Sequence, residues 1–209
     1  MTSHSSVVTA LGDEVDALVD GRPMRADARR NYERLVEAAK VVFAQSGGDA
    51  PMEAVAKEAG VGVGTLYRHF PKRIDLVEAV YRTDVDGLVA AAEESAVELA
   101  PWAGLVNWLE TFVRYSQSKR NFLNELHQAF EKNPQLKVKA RERIQGAAEV
   151  VLERAQRQGL ARTDIDGADL MQLIGPMCMA ATLTEEQAER LLAMVLDGLR
   201  VPSHDAQAV

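Results

Sequence analysis

The stretch AKEAGVGVGTLYRHFPKR, residues 56–73, decides how the whole chain is organised. The residues before Gly60 supply the apolar stripe of one short helix, and Gly60 can turn the chain with positive φ at no steric cost. Val61 and Leu66 give a second helix, predicted over residues 62–70, its inward-facing anchors. The stretch therefore predicts two short helices joined by a tight turn.

The outward face of the second helix carries small residues followed by hydrogen-bonding ones. Arg68 can bond both acceptors of a guanine edge, and the hydroxyls of Thr65 and Tyr67 suit phosphate oxygens. Two basic residues, Lys72 and Arg73, follow directly. This makeup is typical of a helix that enters a groove of DNA.

Helical patterns flank this unit on both sides. Apolar residues at i, i+3, i+4 and i+7 predict a helix over residues 28–45. Pro51 suits the first position of the next helix, because that amide has no intrahelical partner. From residue 74 to about residue 99 the pattern predicts a connector helix, which at ~1.5 Å per residue is roughly 40 Å long.

The remaining sequence is also helical and shows no strand alternation. Helices are predicted over residues 105–113, 122–130 and 134–158. Asp166 can cap one more helix, and Thr184 can begin the last one with a capping box. The fold class is therefore all-α, with about nine helices in an N-terminal three-helix bundle, a connector and a C-terminal helical domain.

The composition of the chain excludes several classes of protein. A chain of 209 residues with 47% hydrophobic content can bury a real core. No apolar run reaches the ~18 residues that span a bilayer and no secretory signal fits, so we expect a cytoplasmic protein without membrane contact. A single cysteine, Cys178, excludes an intrachain disulfide framework and a thiolate metal cage, and no metal or cofactor is expected.

The charge is unevenly distributed along the chain. A formal net charge of −7 argues against a broad surface for polyanions. Residues 22–82, however, contain 11 basic and 8 acidic side chains, so basic character is local to the segment described above. Because phosphate contacts need only a local cluster, nucleic-acid binding stays possible, with weak nonspecific affinity.

The segment from about Arg29 to Tyr81, with VFAQSG and VAKEAGVGVGTLYRHFPKR, closely resembles the DNA-binding domain of TetR/AcrR-type transcriptional regulators. The resemblance implies a homodimer whose recognition helices enter successive major grooves of a near-palindromic operator in double-stranded DNA. It implies a ligand-responsive regulator and not an enzyme, most often a repressor that a small, mostly apolar effector releases. The implied organisation is an N-terminal arm over residues 1–21, a helix-turn-helix domain over 22–73, a ligand-binding and dimerisation domain over 74–201, and a tail over 202–209. The arm is expected to be either flexible or a short amphipathic helix.

The resemblance also assigns roles to particular residues. Positions that contact phosphates in the family match Thr65, Tyr67, His69 and Arg73, and those that face bases match Val63, Gly64 and Arg68. The arginines before residue 31 form either a solvated charge cluster or further backbone contacts. Glu53 departs from the family pattern, so the first helix of the turn is expected to contribute less. The predicted DNA-binding residues are Arg25, Arg29, Val63, Gly64, Thr65, Tyr67, Arg68, His69, Lys72 and Arg73.

The C-terminal half is expected to hold an effector site and the dimer interface. Large rings with a few polar neighbours suit an ordinary core, but they can also enclose a mostly apolar ligand. The predicted ligand-binding residues are Trp108, Phe112, Tyr115, Phe122, His127, Met177 and Cys178. Broad apolar faces on the last two helices predict a four-helix dimer interface through Leu173, Met177, Leu192, Val195, Leu196 and Leu199.

Other interpretations have weaker support in the sequence. The glycines of residues 60–64 lack the preceding strand and the spacing of a nucleotide-binding loop. His69 has no second metal ligand at helical spacing. His127 and Cys178 could form a catalytic pair, but no third residue that would orient them is evident. An all-α enzyme or a ligand carrier that uses the C-terminal cavity is the alternative function.

Overall fold

The computed structural model describes residues 18–19, 22–23, 26–46, 50–180 and 182–201. Within these ranges the chain forms nine α-helices, one short 3-10 helix and one hairpin of two-residue strands. The predicted all-α class is confirmed apart from this hairpin, in which β1 (Leu18–Val19) pairs antiparallel with β2 (Arg22–Pro23). A helical arm is therefore wrong at Leu18 and Val19. The remaining predictions for residues 1–17, for Arg25 and for the tail from 202 onward lie outside the described residues.

The first four helices form the N-terminal unit and the connector. They are α1 (Ala26–Ser46), α2 (Met52–Glu58), α3 (Val63–His69) and α4 (Arg73–Glu98). Pro51 is the N-cap of α2, with extended backbone, and not its first helical residue as predicted. A proline fits either place, because its φ of −66° suits both and neither requires its missing amide hydrogen.

The other five helices form the C-terminal part of the molecule. They are α5 (Pro101–Lys119), α6 (Leu123–Lys132), α7 (Pro134–Arg157), α8 (Gly167–Met179) and α9 (Glu185–Leu199), with the 3-10 helix Arg120–Phe122 between α5 and α6. The predicted cap at Asp166 and the predicted capping box between Thr184 and Gln187 are both present. These polar starts explain why α8 and α9 begin where they do.

The buried residues form two hydrophobic cores, and α4 contributes to both. The first core joins α1, α2, α3 and the first half of α4 to α6 and the beginning of α7, and it includes Phe122 and Leu126. The second core joins α5, α7, α8 and α9 to the rest of α4. The domain boundary at residue 74 stays a prediction, but α4 packs on α6, where Lys132 forms ion pairs with Asp75 and Glu78 of α4.

The 3-10 helix Arg120–Phe122, which we call the junction, connects three parts of the fold. The side-chain amide of Asn121 donates to the carbonyl of Ala44 in α1 at 2.8 Å. The ring of Phe122 lies 5.7 Å from that of Phe43 in the same helix. Arg120 donates to the carbonyl of Cys178 at the end of α8, with its Nη2 at 3.2 Å. The junction therefore contacts both the N-terminal unit and the end of α8.

Candidate nucleic-acid interface

The helix α3 is held by one buried residue and exposes most of its other side chains. Leu66 is fully buried beneath it. Val63 and Tyr67 are 41% and 42% exposed. Arg68 and Gly64 are also exposed. These four residues form a continuous outward strip, as the sequence predicted.

The turn between α2 and α3 fixes the direction of this strip. Gly60 has a φ of 63°, so the predicted left-handed turn is confirmed. The amide of Val61 donates to the carbonyl of Ala56 at 3.0 Å, which closes the end of α2. Arg34 of α1 donates to the carbonyl of Gly60 at 3.2 Å. The turn is therefore tied to the supporting helix.

Tyr67 is not a free phenol on the surface of α3. Its hydroxyl donates to Oε1 of Glu53, in α2, at 3.3 Å. Desolvation and, after it, the nearby charge of Glu53 raise the pKa of Tyr67, so the phenol stays protonated. The sequence pointed to Glu53 as a departure from the family pattern but gave no sign of this contact, because the two residues lie on different helices.

His69 closes α3 in a half-buried position. Its ring stands edge-on to that of Tyr32 at 6.2 Å between centroids. Partial burial and then the charge of Arg68 lower the pKa of His69, so the imidazole is neutral near pH 7. A neutral imidazole can offer a hydrogen bond to a phosphate, but it adds no positive charge.

The basic pair after α3 is divided between the surface and the interior. Lys72 is exposed at the start of α4. Arg73 points inward, where its Nη1 donates to the carbonyl of Ala50 and its guanidinium lies 5.2 Å from the ring of Phe43. The buried Nη2 of Arg73 has no hydrogen-bond partner among the described residues. The expectation that Arg73 reaches a phosphate needs correction, because this guanidinium is enclosed, and Lys72 is the available cation.

Arg29 lies on the exposed side of α1. Its Nε is 3.1 Å from Oε1 of Glu33, one turn further along the helix. Both side chains are more than half exposed, so the pair contributes little to stability and can open when a phosphate approaches. The structure therefore keeps Arg29 among the candidate contacts.

The aromatic residues predicted to bind ligand are divided between the two cores. Trp108 is completely buried, donates to the carbonyl of Leu88 at 2.9 Å and stacks on Phe112 at 5.9 Å between centroids. Phe122 and Cys178 are also buried, whereas His127 is exposed on α6. The effector site among these residues therefore stays a prediction, although most of them pack against other protein groups in this structure.

A cavity of about 410 Å³ lies elsewhere, between α5 and α9. We call it the α5–α9 cavity. None of the predicted ligand-binding residues lines it, but Leu192 and Leu196, which were predicted for the dimer interface, do. Two small residues of α9, Ala188 and Ala193, are among its lining residues, but they are five positions apart, so no helical repeat in the sequence marks the cavity. The lining residues are Glu110, Val113, Arg114, Gln117, Glu185, Ala188, Glu189, Leu192, Ala193 and Leu196.

The predicted dimer surface also needs correction. Leu192 and Leu199 are only 7% and 3% exposed, because they pack into the second core of their own chain. Leu173 on α8 is 60% exposed, as an interface residue should be, and Met194 on α9, which the sequence prediction missed, is 68% exposed. Met177, Val195 and Leu196 are half-buried. The exposed large apolar side chains of the last two helices are therefore Leu173 and Met194, with Met179 at the end of α8.

The catalytic alternative finds no support at its two residues. Cys178 is fully buried, and burial raises the pKa of its thiol to about 11, so the sulfur is protonated at neutral pH. His127 is exposed on α6. A protonated thiol in a core and a surface imidazole do not make a nucleophile and its base.

The fold and the exposed α3 strip define a helix-turn-helix protein with a helical C-terminal domain, and comparison with known proteins gives its family. Residues 35–80 match the family described as bacterial regulatory proteins, tetR family, and residues 100–201 match the transcriptional regulator SbtR-like C-terminal domain. A solved TetR transcriptional regulator from Streptomyces coelicolor is 34% identical, with a TM-score of 0.74, over 82% of this chain and 99% of that one. A TetR regulatory protein from Mycobacterium vanbaalenii is 33% identical, with a TM-score of 0.68, over 86% of this chain and 100% of that one.

The curated relatives match over a shorter segment. An HTH-type transcriptional regulator of Staphylococcus aureus (strain USA300) is 44% identical over 64 residues, which make up 30% of this chain and 35% of that relative. The chain belongs to the TetR family of transcriptional regulators. The resemblance noted in the sequence is thereby confirmed. No helix in the described part of the chain is both long and apolar enough to cross a membrane.

Proposed function

We propose that this protein binds a near-palindromic DNA operator as a homodimer and represses transcription until a small effector releases it. The observation that carries the proposal is the exposed strip of α3, in which Val63, Gly64, Tyr67 and Arg68 face outward above the buried Leu66. Together they offer apolar, aromatic and cationic groups on one face of a short helix, which a partner with a polar groove can contact.

Each part of the strip suits a different part of a DNA groove. Arg68 can bond guanine in a bidentate manner, and the methyl groups of Val63 can contact those of thymine. A Cβ built on Gly62 or Gly64 would meet nothing within 4 Å, so the start of α3 is open to close approach. Thr65 and Lys72 lie beside the strip, where backbone phosphates would pass.

Dimerisation is proposed through α8 and α9. The exposed side chains of Leu173 and Met194 give these helices an apolar surface that a second copy of the chain would cover. Pairing the two helices with their copies would form a four-helix bundle, as the sequence pattern suggested. Two recognition helices would then be held at a fixed separation, as a palindromic site requires.

The junction offers a route from an effector site to α3. Asn121 and Phe122 contact α1, and Lys132 of α6 contacts Asp75 and Glu78 of α4 at 2.8 and 3.0 Å. A shift of α5 or α6 would therefore move α1 and the start of α4, which together support α3. Effector binding would change operator affinity if it favours one arrangement of these helices.

Selection of bound fragments from a random pool of DNA duplexes tests the proposal. We expect enrichment of a site with two related half-sites, since a symmetric dimer reads the same bases twice. Arg68→Ala should lose the preference at one position of each half-site. Absence of any enriched sequence with the folded, dimeric protein would contradict a DNA-binding function and favour the ligand-carrier alternative.

A further inference from the structure

The α5–α9 cavity has an apolar floor that is suited to the body of a small organic molecule. Val113 from α5 and Ala188 and Leu192 from α9 are buried side chains that line it, and the half-buried Leu196 adds to them. Its volume of about 410 Å³ lies within the range of small-molecule sites, which are commonly ~300–1,000 Å³. The floor alone would accept many apolar ligands.

The rim of the cavity is strongly acidic. Glu110 of α5 and Glu185 and Glu189 of α9 line it, and in the described part of the chain none of their carboxylates has an ion-pair partner. Arg114 is the lining cation, and its Nη2 donates to the hydroxyl of Thr111 at 2.9 Å. Three carboxylates against one guanidinium leave a negative potential over an apolar surface.

We propose that the α5–α9 cavity binds a small amphipathic organic cation, whose apolar body covers the floor while its charge lies among the three glutamates. The inference rests on the proposed function, because this cation would be the effector that the regulator senses. An anionic or strongly polar molecule is disfavoured, since it would meet like charges or cover apolar surface without gain.

A second copy of this chain is a less suitable occupant. At ~100° per residue, Met194 lies roughly 200° around α9 from Leu192, so the exposed methionine and the cavity are on opposite sides of the helix. A partner chain seated on Met194 would leave the cavity open to small molecules. The acidic rim would also repel its own copy across a symmetric contact.

The cavity is close in sequence to the junction. Arg114 and Gln117 lie on the last turns of α5, which ends at Lys119 immediately before the junction. A ligand that separates α5 from α9 would displace this end of α5. Because Asn121 and Phe122 contact α1, the displacement would reach the helix-turn-helix without crossing the aromatic core.

Two ions of the same shape and opposite charge test the proposal. The full-length protein is titrated by calorimetry with tetraphenylphosphonium and, separately, with tetraphenylborate. We expect the phosphonium to bind at least about tenfold more tightly than the borate, because the charge that the ligand places near the acidic rim is positive in one and negative in the other.

Glu110→Gln combined with Glu189→Gln should remove this preference, and Ala193→Trp, at an exposed lining position, should block binding of the phosphonium. Glu153→Gln, on the exposed face of α7, is the matched control and should change neither.

Operator affinity, measured on the same samples, separates failure of this inference from failure of the proposed function. Two results would contradict the cation site and leave the DNA-binding function unaffected, provided that the protein binds its operator. One is absence of phosphonium binding, and the other is phosphonium binding that is unchanged in the double glutamine variant and in Ala193→Trp. If phosphonium binding changes in these variants as expected but the protein binds no operator, the cation site is supported and the proposed DNA-binding function is contradicted.

Discussion

Arg68 and Arg73 are five residues apart, and their surroundings are opposite. The guanidinium of Arg68 is exposed on α3, whereas that of Arg73 is enclosed between the carbonyl of Ala50 and the ring of Phe43. One arginine is free to read a base, and the other fastens the start of α4 to the loop before α2. The same side chain therefore acts on recognition at one position and on stability at the other.

Arg68→Ala is expected to weaken binding to the preferred operator by roughly 1–3 kcal/mol and to relax the preference at one base position. The reason is the loss of a bidentate contact to one base pair. Fluorescence anisotropy with operators substituted at each position measures both effects. Arg157→Ala, which removes an exposed arginine of α7 paired with Glu153, should leave affinity and preference unchanged. An equal loss on every sequence would contradict base reading by Arg68.

Lys72→Ala is expected to affect DNA binding, whereas Arg73→Ala is expected to affect the stability of the protein. Lys72→Ala should reduce the slope of the logarithm of affinity against the logarithm of salt concentration by about 1, because one phosphate contact is lost. Arg73→Ala should instead lower the free energy of unfolding by roughly 1–3 kcal/mol, since it removes a charged hydrogen bond and a cation–π contact. Urea unfolding and salt titrations separate the two. A flattened salt slope with unchanged stability in Arg73→Ala would restore its phosphate role.

At the scale of elements, the sequence predicted the helices well because their ends carry local signals. Asp166 and Thr184 cap α8 and α9 as predicted, and Gly60 turns the chain between α2 and α3 with the predicted positive φ. These signals act within a few residues, so one sequence contains them completely. The position of the α3 strip could be predicted for the same reason.

The orientation of α9 could not be predicted, because its apolar residues cover a wide arc. Periodicity does not decide which flank of that arc packs on the neighbouring helices. In the structure Leu192 and Leu199 pack inward and Met194 is exposed, while a flank of small and acidic residues faces the α5–α9 cavity. The cavity and the dimer surface therefore depend on tertiary packing, as do the enclosed Arg73 and the contact of Tyr67 with Glu53.

Asp84 of α4 is the charged link between α1 and α5. It forms ion pairs with Lys119, which is almost completely buried, and with Lys40 at 3.2 Å. Burial lowers the pKa of Lys119 while Asp84 opposes that shift, so the pair holds a cation that the core alone would disfavour. The ring of Tyr115, 4.8 Å from the Lys119 nitrogen, adds a weaker attraction.

Asp84→Asn is therefore expected to lower the free energy of unfolding by about 3 kcal/mol, because it leaves the buried Lys119 without its counter-charge. Asp86→Asn, two residues further along the same helix, breaks a half-exposed pair with Arg143 and should cost at most ~1 kcal/mol. Urea unfolding of the three proteins gives the comparison. Equal losses of unfolding free energy in the two variants would show that the buried Asp84–Lys119 pair stabilises the fold no more than the exposed Asp86–Arg143 pair.

At the scale of the whole molecule, the N-terminal unit and the last helices are joined by contacts that are distant in sequence. Asn121 and Ala44 are separated by 77 positions, and Arg120 and Cys178 by 58. No local pattern specifies such pairs, so the junction was absent from the predictions. Its three consecutive residues contact both the N-terminal unit and the C-terminal domain, as the proposed response to an effector would require.

Met194→Asp is expected to convert the dimer to monomers, and Leu173→Asp to do the same, because each places a carboxylate in the proposed interface. Val97→Asp is the matched control, since Val97 is 83% exposed at the end of α4 and away from α8 and α9 in sequence. Light scattering coupled to size-exclusion chromatography measures the mass of each protein. An unchanged dimer mass in both interface variants would move the interface to another surface.

Hydroxyl-radical footprinting on a selected operator shows whether two copies of α3 read two half-sites of one duplex. We expect two protected blocks on one face of the DNA, with centres about 34 Å, or one helical turn, apart, at two chains per duplex. Arg68→Ala should weaken both blocks equally. A single protected block, or saturation at one chain per duplex, would rule out binding of one operator by two α3 helices.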